Sequence, residues 1–104
     1  MADAYKTLYQ GQLPSSVAVL ATVGASKSWI VKHISIRNVT AGAVSYELFR
    51  NGTTAAFSFA AATIPAGGLA EWDGTEAFAT GETIAGVASA ATSLSMIMSG
   101  DEVS

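Results

Sequence analysis

The most regular alternation of hydrophobic and polar residues lies between Ser28 and Asn51. It divides into two runs, SWIVKHISIRNV and AVSYELFRN, which are separated by Thr40-Ala41-Gly42. Both runs are rich in β-branched and aromatic residues, and a short Gly-containing segment between two such runs is typical of a β-hairpin. We therefore predict two strands here that pair with each other around the turn.

One face of each predicted strand is apolar. Ile30, Ile34 and Ile36 share a face in the first run, and Val44, Tyr46 and Leu48 share a face in the second. The register that closes the turn places Ile36 opposite Tyr46 and Ile34 opposite Leu48. A slip of one residue would turn one of these sets to solvent, so we expect this register and the burial of all four side chains.

The opposite face of the predicted hairpin mixes polar and apolar residues. Its members are Trp29, Val31, His33, Ser35, Arg37, Ser45, Glu47 and Phe49. A part-polar outward face that carries Trp29, Val31 and Phe49 is where we expect a partner protein to bind. We also expect Tyr5 and Tyr9, which share one side of the first predicted strand, to lie in or beside such contacts.

The rest of the chain predicts further short strands, separated by Gly, Pro, Asn and Ser turn signals. They span residues 5–13, 16–23, 55–64, 69–73, 77–79, 83–88 and 94–99. Turn signals that recur about every 8–12 residues are typical of an all-β domain. We predict an antiparallel β-sandwich or jelly roll of about eight short strands, formed as a single domain by residues 1–104.

The amino-acid composition limits the kinds of partner that we expect for this chain. Only 12% of the 104 residues are charged, against roughly 25% in a typical soluble domain. Such sparse charge indicates that much of the surface meets protein rather than water. The Lys and Arg residues are scattered and the net charge is −3, so we expect no nucleic-acid partner. No apolar run reaches the ~18 residues of a membrane span, and we expect no membrane partner.

The chain has no cysteine, which excludes disulfides and thiolate metal sites. The first residues lack the basic start and hydrophobic segment of a signal peptide. We therefore expect the protein to be made and folded in a cytoplasm.

His33 is the one histidine, and a packed or surface role is favoured over that of a general base or metal ligand. In the predicted register Ser35 and Glu47 lie near it. A Ser-His-carboxylate group on a flat strand pair would lack an oxyanion hole and a substrate pocket. We predict no catalytic residue, and hence no enzyme.

The one acidic cluster is the segment Glu71–Glu76. It lacks the Asp-x-Asp-x-Asp-Gly spacing of a calcium loop, so we interpret its carboxylates as solvated edge charges. Asp101 and Glu102 are interpreted as a solvated tail. Trp29 and Trp72 could stack on sugar rings, although a buried or interfacial position is more usual for Trp. We predict no metal site and no cofactor.

Several fragments, taken in their order and spacing, resemble small virion structural proteins of tailed bacteriophages. These fragments are Gly11–Val17, Trp29–Ile34, Leu48–Gly52, Ile64–Gly68, Glu71–Gly74 and Gly81–Ile84. The resemblance covers nearly the whole chain and rests on turn and strand signatures. It implies a β-sandwich or jelly-roll module that assembles as a symmetric oligomer on the particle, made in the bacterial host cytoplasm.

We therefore expect a non-enzymatic virion structural protein. Decoration of the outer capsid surface is the first hypothesis, with the major capsid protein as partner and a homo-oligomer, most simply a trimer, as the bound form. A tail, neck or tail-tip component is the second hypothesis. A carbohydrate-binding module is the third, and an exposed Trp with a bound cation would favour it.

Overall fold

The computed structural model describes residues 3–104, which form eight strands and one short 3-10 turn at Ala55–Phe57. The strands are β1 Asp3–Gln12, β2 Ala18–Thr22, β3 Ser28–Asn38, β4 Val44–Arg50, β5 Ser58–Ile64, β6 Leu69–Phe78, β7 Thr83–Ala88 and β8 Leu94–Val103. The all-β prediction is confirmed.

The strands form two antiparallel sheets of four strands each within the described residues. The first sheet has the order β1-β8-β3-β6 and the second has the order β2-β7-β4-β5. Strand β1 pairs with β8, β2 with β7, β3 with β6 and β4 with β5. These nested pairs are those of one long antiparallel hairpin wrapped into two packed sheets, which is the eight-stranded jelly roll.

The core lies between the two sheets. Ile34 and Ile36 of the first sheet and Tyr46 and Leu48 of the second are all buried, at 9% exposure or less, as the alternation predicts. Each fully buried aliphatic side chain contributes roughly 1.5–3 kcal/mol relative to an exposed one. The alternating Leu94, Met96 and Met98 of β8 complete the centre of this layer.

Strands β3 and β4 do not form the predicted hairpin, because they belong to different sheets. Ile36 pairs with Ala70 and Met96, whereas Tyr46 pairs with Ala62 and Ala88. Two strands with one apolar face each can bury those faces side by side or across a core, and alternation does not distinguish the two arrangements. The predicted burial is therefore right and the predicted strand pairing is wrong.

A β-bulge in β3 overturns the predicted outward position of Trp29 and Val31. The pairing of β3 with both neighbours shifts between Val31 and His33, so that Lys32 is an extra residue. A bulge changes which residues face inward. Trp29 and Val31 before it, and Ile34 after it, therefore all face the core, and Trp29 and Val31 are buried.

A second bulge separates Tyr5 from Tyr9. The pairing of β1 with β8 shifts between Thr7 and Tyr9, which makes Leu8 the extra residue. Tyr5 is 63% exposed, whereas Tyr9 is partly buried and packs against the core. The prediction that these two tyrosines share one side of a strand is wrong.

Three other segments differ from their predictions. Residues 55–57 form a 3-10 turn rather than the start of a strand. Strand β6 continues through Gly74 instead of breaking there, and a side chain at Gly74 would meet the ring of Trp72 at 3.0 Å. Strand β8 extends past Ser99 to Val103, so Asp101 and Glu102 belong to a sheet and not to a solvated tail.

Candidate functional site

His33 lies between two carboxylates on the outer face of the first sheet. Strand β6 runs beside β3, and the register places Asp73 directly opposite His33. The His33 Nδ1 atom lies 2.6 Å from Asp73 Oδ1, and its Nε2 atom lies 3.4 Å from Glu71 Oε2. Glu71 and Asp73 are therefore exposed charges that also orient an imidazole, a role that the sequence did not indicate.

This group lacks the remaining parts of a catalytic or metal site. Glu47 lies in the second sheet, so the Ser35-His33-Glu47 proximity inferred from the hairpin register is wrong. No hydroxyl is hydrogen-bonded to either His33 nitrogen within the part of the chain that the structure describes. The two ring nitrogens face different carboxylates and do not converge on one point. Residues 3–104 contain no group of three or more His, Cys, Asp or Glu arranged to hold a metal ion.

Glu102 joins strand β8 to both of its neighbours. Its carboxylate accepts a hydrogen bond from Trp29 Nε1 at 2.9 Å and pairs with Lys6 Nζ at 3.2 Å. The Trp29 hydrogen bond, followed by the Lys6 hydrogen bond, lowers the pKa of Glu102 below its ordinary value. Asp101 pairs with Lys32 at 3.0 Å, so both carboxylates of this strand end have structural partners.

Arg50, at the end of β4, connects the second sheet to the first. Its guanidinium lies over the Phe78 ring at 4.9 Å from the centroid. Its Nε atom is 3.2 Å from Glu76 Oε1, and its Nη2 atom is 3.5 Å from Glu82 Oε1. Because these residues are engaged with one another, we assign them a structural role.

A groove of about 360 Å³ crosses the outer face of the first sheet. It is lined by polar side chains, which include Ser35 and Arg37 from β3, and by two exposed aliphatic side chains. Leu69 of β6 is 57% exposed and Ile97 of β8 is 44% exposed. The register places Leu69 directly beside Arg37 and Ile97 directly beside Ser35. This surface combines one cation with two apolar contacts.

A second groove, of about 370 Å³, lies on the outer face of the second sheet. Its one charged lining residue is Glu47, which has Val87 of β7 on one side and Ala61 of β5 on the other. Tyr46 contributes to its edge, and burial raises the pKa of the Tyr46 hydroxyl. This surface combines one anion with small apolar contacts.

The edges of the two sheets differ in charge. The first sheet ends in β1, which contains Lys6, and in β6, which contains Glu71, Asp73 and Glu76. The second sheet ends in β2 and β5, and neither strand contains a charged residue. Charged side chains on an edge strand discourage pairing with another chain. Charge protects only the edges of the first sheet, whereas the edge strands of the second sheet are short and each contains a β-bulge, at Leu20 and at Phe59, which also limits pairing.

The predicted interface residues are separated by the fold. Tyr5 remains exposed on the first sheet, and Tyr9 packs against the core. Trp29 and Val31 are buried in that core. Phe49 is only 3% exposed, although its strand position turns it to the outer side of the second sheet. Trp29, Val31 and Phe49 therefore do not form one exposed face.

Sequence reasoning overlooked Arg37 and Glu47, although both belong to the polar face that it described. Neither side chain has an ion pair or hydrogen bond among residues 3–104. The available signal was a charge that alternates with apolar residues in each run, Arg37 near the end of the first run and Glu47 in the middle of the second. Aromatic residues were preferred because they dominate many interfaces, and here most of them stabilise the subunit itself.

In the described part of the chain there is no helix whose length and hydropathy would suit a membrane span. Comparison of the chain with protein-family models, with curated proteins and with solved structures finds no match in any of the three.

Proposed function

We propose that this protein is a non-enzymatic structural subunit of a tailed-bacteriophage particle. Its most favoured place is the outer capsid surface, where it binds the major capsid protein as a symmetric oligomer and decorates the shell. The observation that carries the proposal is the jelly-roll strand order. This architecture recurs in viral capsid proteins and in lectins.

A fold by itself is compatible with several functions, so the choice among them rests on other features. The sequence fragments described above favour virion proteins. The two outer sheet faces carry exposed aliphatic side chains among polar ones, as Leu69 and Ile97 of the first sheet and Val19 of the second illustrate. The second sheet also has two edges without charged residues. A subunit that is covered by neighbouring subunits explains these surfaces, because assembly removes them from water.

The carbohydrate-binding alternative depends on an exposed Trp. Trp29 is 8% exposed and belongs to the core cluster. Trp72 is partly buried, and its ring meets that of Phe59 edge-on with 5.8 Å between the ring centroids. Neither indole offers the open face on which a sugar ring stacks, so the assembly role is preferred over carbohydrate binding.

The test uses particles assembled in infections from which the gene for this chain has been deleted. Isolated protein is added to these particles, and binding is measured by co-sedimentation and located by electron microscopy. We expect saturable binding at symmetry-related positions of the capsid. Binding confined to the tail or neck would contradict the capsid-decoration role and support the tail or neck hypothesis. The absence of binding to any part of the particle would contradict the virion role altogether.

A further inference from the structure

Two charged side chains without a partner within residues 3–104 occupy matching grooves on opposite sides of the sandwich. Arg37 lies in the groove of about 360 Å³ on the first sheet. Glu47 lies in the groove of about 370 Å³ on the second sheet. The outer faces of two packed sheets point in opposite directions, so these charges cannot meet within one chain. They can meet between two copies of it.

We infer that the protein associates with itself head to tail, with the Arg37 groove of one copy on the Glu47 groove of the next. This inference rests on the proposed structural role, in which several copies of the subunit are bound to one shell. Each groove places one charge among short polar and aliphatic side chains, such as Leu69 and Ile97 around Arg37 and Val87 around Glu47. An ion pair that apolar contacts surround is shielded from solvent, which gives it specificity in orientation and partner.

The available area limits such a contact to a weak one. The strands of the second sheet have only five to seven residues, so a sheet of them spaced about 4.8 Å apart presents a face of roughly 15 by 20 Å. Burial of that face on both partners gives a total of roughly 600 Å², below the about 1,000 Å² of a stable specific interface, so we expect association at high protein concentration. Small residues in the two grooves permit close approach, with Ser35 and Ser95 on one side and Ser45 and Ala61 on the other.

Both grooves lie at the same end of the sandwich. The first is lined by the end of β1, the start of β8 and Arg37 near the end of β3, and the second by the start of β4 and the end of β7. Backbone hydrogen bonds at this end, such as Ala88 N–H to Pro14 carbonyl, hold the connections together. A head-to-tail contact between faces that point in opposite directions adds copies in a stack, which stays open unless the rotation between successive copies closes it into a ring.

The experiment reverses the two charges separately and together. Sedimentation velocity and equilibrium are measured for the wild type, Arg37→Glu, Glu47→Arg and the double variant Arg37→Glu/Glu47→Arg. We expect the wild type to be an oligomer at high protein concentration and each single variant to associate at least roughly tenfold more weakly, because like charges then face each other. The double variant should regain the wild-type association, because opposite charges again meet at every contact.

Lys27→Glu is the matched control, since it makes the same change of charge as Arg37→Glu in the turn before β3 and outside both grooves. It should leave the oligomer unchanged, and circular dichroism should show that every variant is folded. A wild type that stays monomeric at high protein concentration, single variants that associate normally, or a double variant that fails to recover would each overturn the inference. The proposed function is judged separately, by binding to particles, because a monomer can also decorate a shell.

Discussion

The side chain of Asn38, at the end of β3 in the first sheet, donates a hydrogen bond from Nδ2 to the backbone carbonyl oxygen of Ile64 in the second sheet, at 2.9 Å. The same Nδ2 donates to the carbonyl oxygen of Gly42 at 2.8 Å, and Oδ1 accepts from the backbone N–H of Thr40 at 2.9 Å. Asn38 is completely buried, and every polar atom of its amide is satisfied. It fixes the crossing of the chain from one sheet to the other.

Asn38→Ala should therefore be strongly destabilising. It leaves a buried carbonyl oxygen without its donor, and each such loss costs about 1–3 kcal/mol. We expect a decrease of about 2–4 kcal/mol in the free energy of unfolding, measured by urea denaturation. Thr40→Ala removes the hydrogen bond that Thr40 Oγ1 donates to Asn38 Oδ1 at 2.7 Å and keeps the one from the Thr40 backbone N–H. It should lower the free energy of unfolding by about 1 kcal/mol or less. Equal decreases in the free energy of unfolding for the two variants would contradict the role of Asn38 in holding the two sheets together at this crossing.

Gly100 permits the close approach of β8 to β3. A Cβ atom at this position would lie 2.1 Å from the Ile30 carbonyl oxygen, which a fixed backbone cannot accommodate. Gly100→Ala should lower the free energy of unfolding by about 2 kcal/mol or more. Gly42→Ala is the matched control, because a Cβ atom there meets nothing within 4 Å. Thermal melts should separate the two variants clearly, and similar melting temperatures would show that the β3–β8 contact is looser than described.

The core is tested by two isoleucines that lie close together on neighbouring strands. Ile36 is 1% exposed, whereas Ile97 is 44% exposed. Ile36→Ala should cost roughly 2–5 kcal/mol, since it removes buried methyl groups and leaves a cavity. Ile97→Ala should change the stability of the isolated chain by only about 0.5 kcal/mol. If Ile36→Ala unfolds at the same urea concentration as the wild type, Ile36 does not face the core.

Acid stability should depend on Glu102. Its pKa is lowered in the folded chain by the Trp29 and Lys6 hydrogen bonds, so the folded state favours the ionised carboxylate. A lowered folded-state pKa gives stability that is present above the unfolded pKa and is lost as the pH falls through the folded value. We expect Glu102→Gln to flatten the decrease in stability between about pH 6 and about pH 3.

Lys6→Met is the companion variant, because it removes one of the two hydrogen bonds that Glu102 accepts and keeps the carboxylate. It should reduce the dependence of stability on pH less than Glu102→Gln does. Urea melts at a series of pH values provide the comparison. A Glu102→Gln variant with an unchanged acid profile would show that the Trp29 and Lys6 contacts do not persist in solution.

Alternation predicted most of the strands, because one buried face imposes a period of two on the residues. Strand β7 spans Thr83–Ala88, as predicted, and β3 ends within one residue of the predicted position. The same reasoning failed at Leu8 and Lys32, where a bulge inserts an extra residue. A bulge is decided by the neighbouring strands of the ladder, which lie far away in sequence, so local alternation carries no trace of it.

The sequence did not predict which strands pair with each other, for a related reason. The order β1-β8-β3-β6 depends on contacts between the two ends of the chain, whereas turn signals report only on neighbouring segments. The candidate interface shows the same limit. Large aromatic residues such as Trp29 stabilise either a core or an interface, and only their position in the fold distinguishes the two. The positions of Arg37 and Glu47 on opposite outer faces follow from the strand order, which the sequence did not predict.

The central claim is that this protein is a subunit of the particle surface, and its copy number in purified virions tests that claim most directly. Quantitative mass spectrometry of particles that have been purified through a density gradient gives the ratio of this chain to the major capsid protein. The account predicts a fixed ratio that reflects the symmetry of the shell, together with density for an eight-stranded sandwich on its outer surface. Absence of the chain from purified particles, although it is produced during infection, would contradict the account.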